Sequence, residues 1–188
     1  MRIPIWISNR HIHLSQIDVE KLFEKGYQLQ QDKPLSQPGK FSCKETLTLV
    51  WPKGKIEKVR IMWPTRKCTQ VELLRGDIFV LWCEAPVRVS GNIQDSWSLT
   101  LVGPKWDVFI SQGVIVAQRH LHCTIPEAKD LWVHHNQVVK IKIPGPRELV
   151  FDQVKVRVRD DAALDFHIDR EEANAAGVEK WDWGEIVK

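Results

Sequence analysis

Two stretches of the sequence decide the fold: ISNRHIHLSQIDVEKL at residues 7–22 and VAQRHLHCTIPEAKDL at residues 116–131. Each indicates a strand, then an Arg-His-x-His motif, then a helix that begins at a capping residue. A second related pair, LTLVWPKG at 47–54 and LTLVGPKW at 99–106, lies between them. Because each pattern occurs twice and not at a fixed short period, the chain is predicted to contain two related β units rather than a solenoid.

Strand signals dominate the rest of the chain. Segments rich in β-branched residues are separated by Gly or Pro: TLTLVW (46–51), KVRIMW (58–63), SLTLVG (98–103), DVFIS (107–111), GVIVAQ (113–118), QVVKIKI (137–143) and QVKVRVRD (153–160). The candidate helices are short and begin at Ser15, Thr124 and Asp169, each followed three residues later by an acidic residue. This pattern predicts an all-β fold with short helices, arranged as two small β-barrels.

The composition excludes several classes of protein. The chain has 188 residues, 43% of them hydrophobic and 27% charged, with a net charge of +3. No apolar run approaches the roughly 18 residues that span a bilayer, and the start MRIPIWISNRHIH becomes polar too soon for a signal peptide. We therefore expect a cytoplasmic protein with no membrane partner. The small charge does not demand nucleic acid, but it is compatible with an anionic substrate.

The histidines carry the chemistry. Five of the seven are His11 and His13, His120 and His122, and the isolated His167. In an H-x-H pair at a strand end both imidazoles lie on one face, because side chains alternate with period two. A single pair indicates solvated histidines, whereas two copies in the same context favour metal binding. Five imidazoles exceed the needs of one structural zinc, so the sequence indicates two metals or an open catalytic site.

Longer motifs extend over nearly the whole chain in unbroken order: SNRHIHLS, LSQPGKF, KETLTLV, PTRKCTQVEL, EAPVRVSG, RHLHCT and FHIDREEANAAG. Together they resemble the PduL-type phosphate propanoyltransferases, the metal-dependent phosphotransacylases. The resemblance implies an enzyme that interconverts acyl-CoA plus phosphate with acyl phosphate plus coenzyme A. It leaves open whether the acyl group is acetyl or propanoyl.

The resemblance also implies site residues. It places two zinc ions per chain on two ligand sets: His11, His13 and Glu72, and His120, His122 and His167. Arg66 would face the phosphate, and Ser90 would lie nearby. The first zinc would meet the sulfur of coenzyme A, and the second would present water or phosphate. All six ligands are expected to converge on one cleft. Cys68 stands where we expect a glutamine, so a hydrogen bond beside the first zinc is predicted to be missing or altered.

For the architecture, the resemblance implies one barrel over 10–117, with a hairpin arm at about 26–45, and a second over 1–9 and 118–188. The first strand would thus complete the C-terminal barrel. A homodimer is expected. No extension of the kind that targets relatives to microcompartments precedes Ile3, which indicates a free cytoplasmic form.

Two other functions fit parts of the sequence. A two-metal hydrolase of phosphoesters or acyl compounds would use the same ligand types, but it would normally need more carboxylates than Glu72 alone. A small β-barrel binding module could present the basic segment 153–160 to nucleic acid, yet that segment lacks interleaved aromatic residues. An assay of free-thiol release from acyl-CoA in the presence of phosphate distinguishes the phosphotransacylase from the hydrolase and from the binding module.

Tryptophan is unusually frequent, with nine residues against one tyrosine. In the pair 47–54 and 99–106, Trp51 matches Gly103 and Gly54 matches Trp106, so Trp and Gly exchange places in one turn. The family resemblance extends this to eight positions, which we call the glycine-like tryptophans: Trp6, Trp51, Trp63, Trp82, Trp97, Trp106, Trp132 and Trp181. One explanation is a functional aromatic surface. Our hypothesis is that these codons are UGA, read as glycine in the source organism, and that the indoles lie in turns or at strand ends, some at positive φ.

Overall fold

The structure is a computed structural model and describes residues 1–179 and 182–187. Strands make up almost half of the described residues and helices about one seventh, so the predicted all-β fold with short helices is confirmed. The strands are β1 Ile3–Ser8, β2 His11–His13, β3 Gln31–Pro34, β4 Phe41–Trp51, β5 Gly54–Trp63, β6 Gln70–Leu73, β7 Val87–Arg88, β8 Trp97–Val102, β9 Asp107–Ala117, β10 His120–Cys123, β11 Val138–Ile143, β12 Leu149–Val158, β13 Asp165–Asp169 and β14 Trp183–Val187. The helices are α1 Gln16–Leu22, α2 Asp77–Leu81, α3 Ile125–Leu131 and α4 Arg170–Ala176.

The chain divides into two compact units. The first unit comprises Arg10–Leu35 and Gly39–Ala117, and the second comprises Met1–Asn9, Ser36–Pro38 and Gln118–Lys188. In the first unit the strands pair in the closed order β4-β5-β2-β6-β9-β8, with β8 returning to β4. Strand β3 pairs with β4 as a hairpin, and β7 pairs with β9. The first unit is therefore a six-stranded barrel with two short additional strands.

The second unit is also a six-stranded barrel. Its strands follow the closed order β1-β13-β10-β12-β11-β14. Strand β1 pairs in parallel with β13 and antiparallel with β14, and so closes the ring. The prediction that the first strand completes the C-terminal barrel is confirmed.

Each unit has its own hydrophobic core. In β8 Leu99 and Leu101 are buried while their neighbours are half-buried, and in β11 Ile141 and Ile143 are buried. This alternation follows from the period of two along a strand, which directs every second side chain into the barrel. The alternate side chains of each strand point away from the core, where they can contact helices and loops or form the histidine clusters.

The three predicted helix starts are confirmed. The side chain of Ser15 accepts a hydrogen bond from the backbone N–H of Asp18, and Thr124 and Asp169 form complete capping boxes. Helix α2 was not predicted, because no side chain caps its first residue. The segments at 107–111 and 113–118 were predicted as two strands but form the single strand β9, in which Gly113 has φ 128°.

Two of the glycine-like tryptophans end helices in the left-handed conformation. Trp132 follows α3 at φ 58°, ψ 43° and Trp82 follows α2 at φ 54°, ψ 52°. Gly177 has the same role after α4, at φ 65°, ψ 34°. A left-handed residue at a helix end is usually glycine, because a Cβ is crowded there. The expectation of positive φ is confirmed at these two positions.

The other glycine-like tryptophans differ among themselves. Trp51 and Trp63 are the last residues of β4 and β5, Trp97 is the first of β8, and Trp106 is exposed just before β9. These positions agree with the expected turns and strand ends. The expectation is wrong for Trp6, which lies inside β1. Trp181 lies outside the described residues.

Candidate active site

The first histidine cluster is assembled by pairing of β2 with β6. His11 lies opposite Glu72 and His13 lies opposite Gln70 in this antiparallel pair. Because side chains alternate along both strands, these four residues share one face. His11, His13 and Glu72 are each less than 10% exposed. The structure therefore brings together the three residues that the family resemblance assigns to the first zinc.

The spacing within this cluster suits a metal ion. Nε2 of His11 lies 3.4 Å from one carboxylate oxygen of Glu72, and Nε2 of His13 lies 3.9 Å from the other. A tetrahedral zinc with bonds near 2.0 Å separates its ligand atoms by about 3.3 Å. Imidazole nitrogen and carboxylate oxygen are both zinc ligands. The donor set and its separations fit zinc after small side-chain movements.

Burial and nearby charges shift the pKa values of two residues of the first cluster, Glu72 and His13. Burial disfavours ionisation of Glu72, but the charges of His11, His13 and Arg66 and the hydrogen bond from Ser90 outweigh it and hold its pKa at about 2. Burial, with the charges of His11 and Arg66, lowers the pKa of His13 well below its usual value. Both shifts favour the forms that bind a metal ion, an ionised carboxylate on Glu72 and a neutral imidazole on His13.

Arg66 and Ser90 belong to a hydrogen-bond network around Glu72. Nη1 of Arg66 donates to the hydroxyl of Ser90 at 3.1 Å, and this hydroxyl donates to Oε1 of Glu72 at 2.6 Å. The backbone N–H of Arg66 donates to the carbonyl of Leu14 at 2.8 Å, which ties the arginine to the end of β2. The guanidinium is therefore fixed next to the histidine cluster.

Gln70 is the site residue that sequence reasoning missed. Its amide donates to Glu72 at 2.7 Å and to Ser90 at 3.1 Å, and its oxygen accepts the N–H of Gly91 at 2.8 Å. Gln70 thus supplies a glutamine hydrogen bond to Glu72, and the expectation that Cys68 replaces a glutamine of the family stays a prediction. Cys68 is exposed. The period of two between Gln70 and Glu72 was the signal that could have identified it.

The second histidine cluster joins β10 with β13. His120 lies directly opposite His167 in this antiparallel pair, and their ring centres are 4.8 Å apart. The Nε2 atoms of His120 and His122 are 3.1 Å apart, and one ligand atom from each of the three histidines lies within 4.8 Å of the others. His167 is thus beside His120, as expected. Three converging imidazoles also fit a zinc ion and leave a position for another ligand.

The arginine of each R-H-x-H motif makes an ion pair within its own unit. Arg10 contacts the buried carboxylate of Asp77 through Nε at 2.8 Å and Nη2 at 2.7 Å. Nε of Arg119 donates to Glu172 at 2.6 Å. Asp77 also accepts the backbone N–H of Leu74. These contacts fix the chain immediately before each histidine pair.

The first cluster lies in the first unit, and the second cluster lies in the second unit. The expectation that all six ligands face one cleft stays a prediction. No helix in residues 1–179 and 182–187 is long and apolar enough to cross a membrane. The fold and the donor sets define the class: a two-barrel protein with a candidate metal-binding cluster in each barrel.

Comparison with known proteins identifies the family within this class. The profile of the phosphate propanoyltransferase family matches residues 4–179. The chain is 45% identical to the phosphate propanoyltransferase of Thermotoga maritima over 99% of this chain and 89% of the relative. Identity is 48% to the Escherichia fergusonii protein of that name and 44% to that of Salmonella typhimurium, each over 94% of this chain and 84% of the relative. The chain belongs to the phosphate propanoyltransferase family and is an acyltransferase.

Proposed function

We propose that this enzyme transfers a short acyl group, propanoyl or acetyl, between coenzyme A and inorganic phosphate with the help of two zinc ions. The observation that carries the proposal is the fixed guanidinium of Arg66, bonded through Ser90 to the Glu72 carboxylate of a histidine cluster. The names of the relatives favour the propanoyl group.

Arg66 provides the group that would bind phosphate. A guanidinium binds phosphate oxygens with charge-assisted and often bidentate hydrogen bonds. Held in place, it turns the meeting of phosphate and thioester into an oriented reaction within one complex. The phosphate oxygen forms a bond to the carbonyl carbon, the carbon–sulfur bond breaks, and the thiolate leaves with the electron pair.

The two clusters are proposed to hold zinc through His11, His13 and Glu72 and through His120, His122 and His167. A bound zinc ion supplies Lewis acidity, which stabilises negative charge on oxygen or thiolate sulfur. The chain itself contributes the buried, preformed donor sets and the network that keeps Glu72 ionised. Both contributions reduce the rearrangement that the reaction requires.

The decisive experiment measures thiol release from propanoyl-CoA and from acetyl-CoA, with and without phosphate. Release that requires phosphate and yields acyl phosphate supports the proposal, and the ratio of kcat/KM for the two substrates identifies the acyl group. Release that is equally fast without phosphate indicates a hydrolase. No release from either substrate by metal-loaded protein contradicts the proposed function.

Arg66→Ala separates the phosphate role from the metal role. We expect kcat/KM to fall by about 10²- to 10³-fold, because a fixed charged contact in the transition state is lost. Zinc content measured by mass spectrometry should stay unchanged. Arg75→Ala, an exposed arginine in the same unit, is the matched control. Near-normal phosphate KM and rate in Arg66→Ala would remove this residue from the reaction.

A further inference from the structure

Asp165 is a buried carboxylate that the site described above does not use. Only 3% of its surface is exposed. It lies in β13 two residues before His167, on the same face, and directly opposite His122 of β10. Burying a carboxyl group without polar partners is costly. Because Asp165 lies beside the second histidine cluster, we expect it to have a role there.

Gln37 holds one oxygen of this carboxylate. The Gln37 amide donates to Oδ2 of Asp165 at 2.8 Å and to the carbonyl of Ala163 at 2.9 Å. The N–H of Ala163 donates back to the Gln37 oxygen at 3.3 Å. Gln37 is itself 5% exposed. These bonds orient the carboxylate and leave Oδ1 directed at His167.

Oδ1 of Asp165 lies 2.8 Å from Nε2 of His167. Neither atom has a hydrogen-bond partner of standard geometry among the described residues, each other included. An ionised carboxylate can only accept a hydrogen bond, and a neutral imidazole has one N–H. Two lone pairs facing each other at this distance in a buried place would repel. The proton of His167 is therefore placed on Nε2, and its lone pair on Nδ1.

His120 shows the opposite arrangement. Its Nδ1 lies 2.9 Å from the carbonyl oxygen of Gln118, so the ring proton belongs on Nδ1 and the lone pair on Nε2. That Nε2 is the nitrogen that faces His122 at 3.1 Å. Backbone carbonyls and carboxylates are the groups that usually fix metal-binding histidines through the nitrogen remote from the metal.

We propose that Asp165 is the positioning residue of His167: it accepts the Nε2 proton and thereby offers Nδ1 to the metal ion. Gln37 keeps Asp165 in place. The inference rests on the proposed metal site of the second unit, and it assigns no contact between Asp165 and substrate. It gives the cluster two kinds of donor atom, Nε2 from His120 and Nδ1 from His167.

The first test needs no variant. Long-range proton–nitrogen correlation NMR of the metal-free protein reports which ring nitrogen of His167 carries the proton. We expect the Nε2–H form in the native protein and a mixture of forms in Asp165→Asn, which a purely structural role would not produce. A native His167 protonated on Nδ1 overturns the proposal.

The second test measures zinc affinity by competition with a chromophoric chelator. Asp165→Asn should weaken binding at the second cluster by about 10- to 100-fold, while the first cluster keeps its affinity. Asp160→Asn, an exposed change in the same unit, should alter neither. Unchanged affinity in folded Asp165→Asn contradicts the proposal. Because neither readout involves acyl transfer, their results stand apart from those of the activity assay.

Discussion

Replacing Trp132 tests whether the end of α3 is built for glycine. Trp132 is 85% exposed and has φ 58°. A residue with a Cβ costs about 1–2 kcal/mol in this conformation. Removing the indole also loses the stabilisation from its buried part. That part is roughly 40 Å² of a large aromatic side chain, which contributes about 1 kcal/mol to folding. The two effects are similar in size, so Trp132→Gly alone does not decide the question.

The comparison of Trp132→Gly with Trp132→Ala isolates the backbone. Both variants lose the indole, and only Ala keeps a Cβ. We expect the Gly variant to be more stable by about 1 kcal/mol, which is about 2–4 °C in melting temperature for a chain of this size. Trp82, at φ 54°, should show the same order, although both variants there also lose the contact of the ring with the Lys53 ammonium at 4.5 Å.

Urea unfolding followed by circular dichroism measures this difference. Trp106 supplies the control, because it is 73% exposed but is not among the residues with positive φ. There the Ala variant should be at least as stable as the Gly variant, since glycine loses more chain entropy on folding. An Ala variant of Trp132 as stable as its Gly variant would refute the reasoning.

Three further outcomes are expected. Sequencing of the gene should show UGA at the eight glycine-like tryptophans and UGG at the remaining one; UGG at the two tryptophans of the repeated turn would end the recoding hypothesis. Iodoacetamide at mildly alkaline pH should label exposed Cys68 quickly and spare the buried Cys43 and Cys123, as measured by mass spectrometry. Burial, and to a smaller extent nearby carboxylates, raises the thiol pKa of Cys43 to about 12 and that of Cys123 to about 11, so little reactive thiolate forms. Rapid labelling of either buried thiol in folded protein would contradict the described core. Gln70→Leu should lower the free energy of unfolding by about 1–3 kcal/mol in urea titrations, because the buried Glu72 carboxylate loses a donor and the backbone N–H of Gly91 loses its acceptor. A variant as stable as the native protein would show that the network contributes nothing to folding.

Local features of the chain were readable from the sequence alone. The two R-H-x-H motifs were predicted to lie at strand ends; each histidine pair instead lies in a short strand of its own, β2 or β10, but both imidazoles of a pair share one face as expected, because a strand repeats every two residues. Ser15, Thr124 and Asp169 identified three helix starts, since a capping side chain acts within its own turn. Helix α2 escaped prediction because its first residue has no capping side chain.

The tertiary structure decided which distant residues meet. Pairing of β2 with β6 sets Glu72 opposite His11 and Gln70 opposite His13, and pairing of β10 with β13 sets His167 opposite His120. A shift of one residue in either pair would turn these side chains to the other face. The register depends on closure of a whole barrel, to which every strand contributes, so spacing along the chain could not supply it.

Asp165 and Gln37 show the same division. The family resemblance pointed to His167 and passed over the acid two residues before it. Only the folded second unit shows Gln37, which is far away in sequence, hydrogen-bonded to that carboxylate. The sequence by itself determined the ligand types and their local spacing, because these depend on neighbouring residues. The tertiary structure decided how the Asp165 carboxylate is held beside His167, because Gln37, which donates a hydrogen bond to it, is distant in sequence.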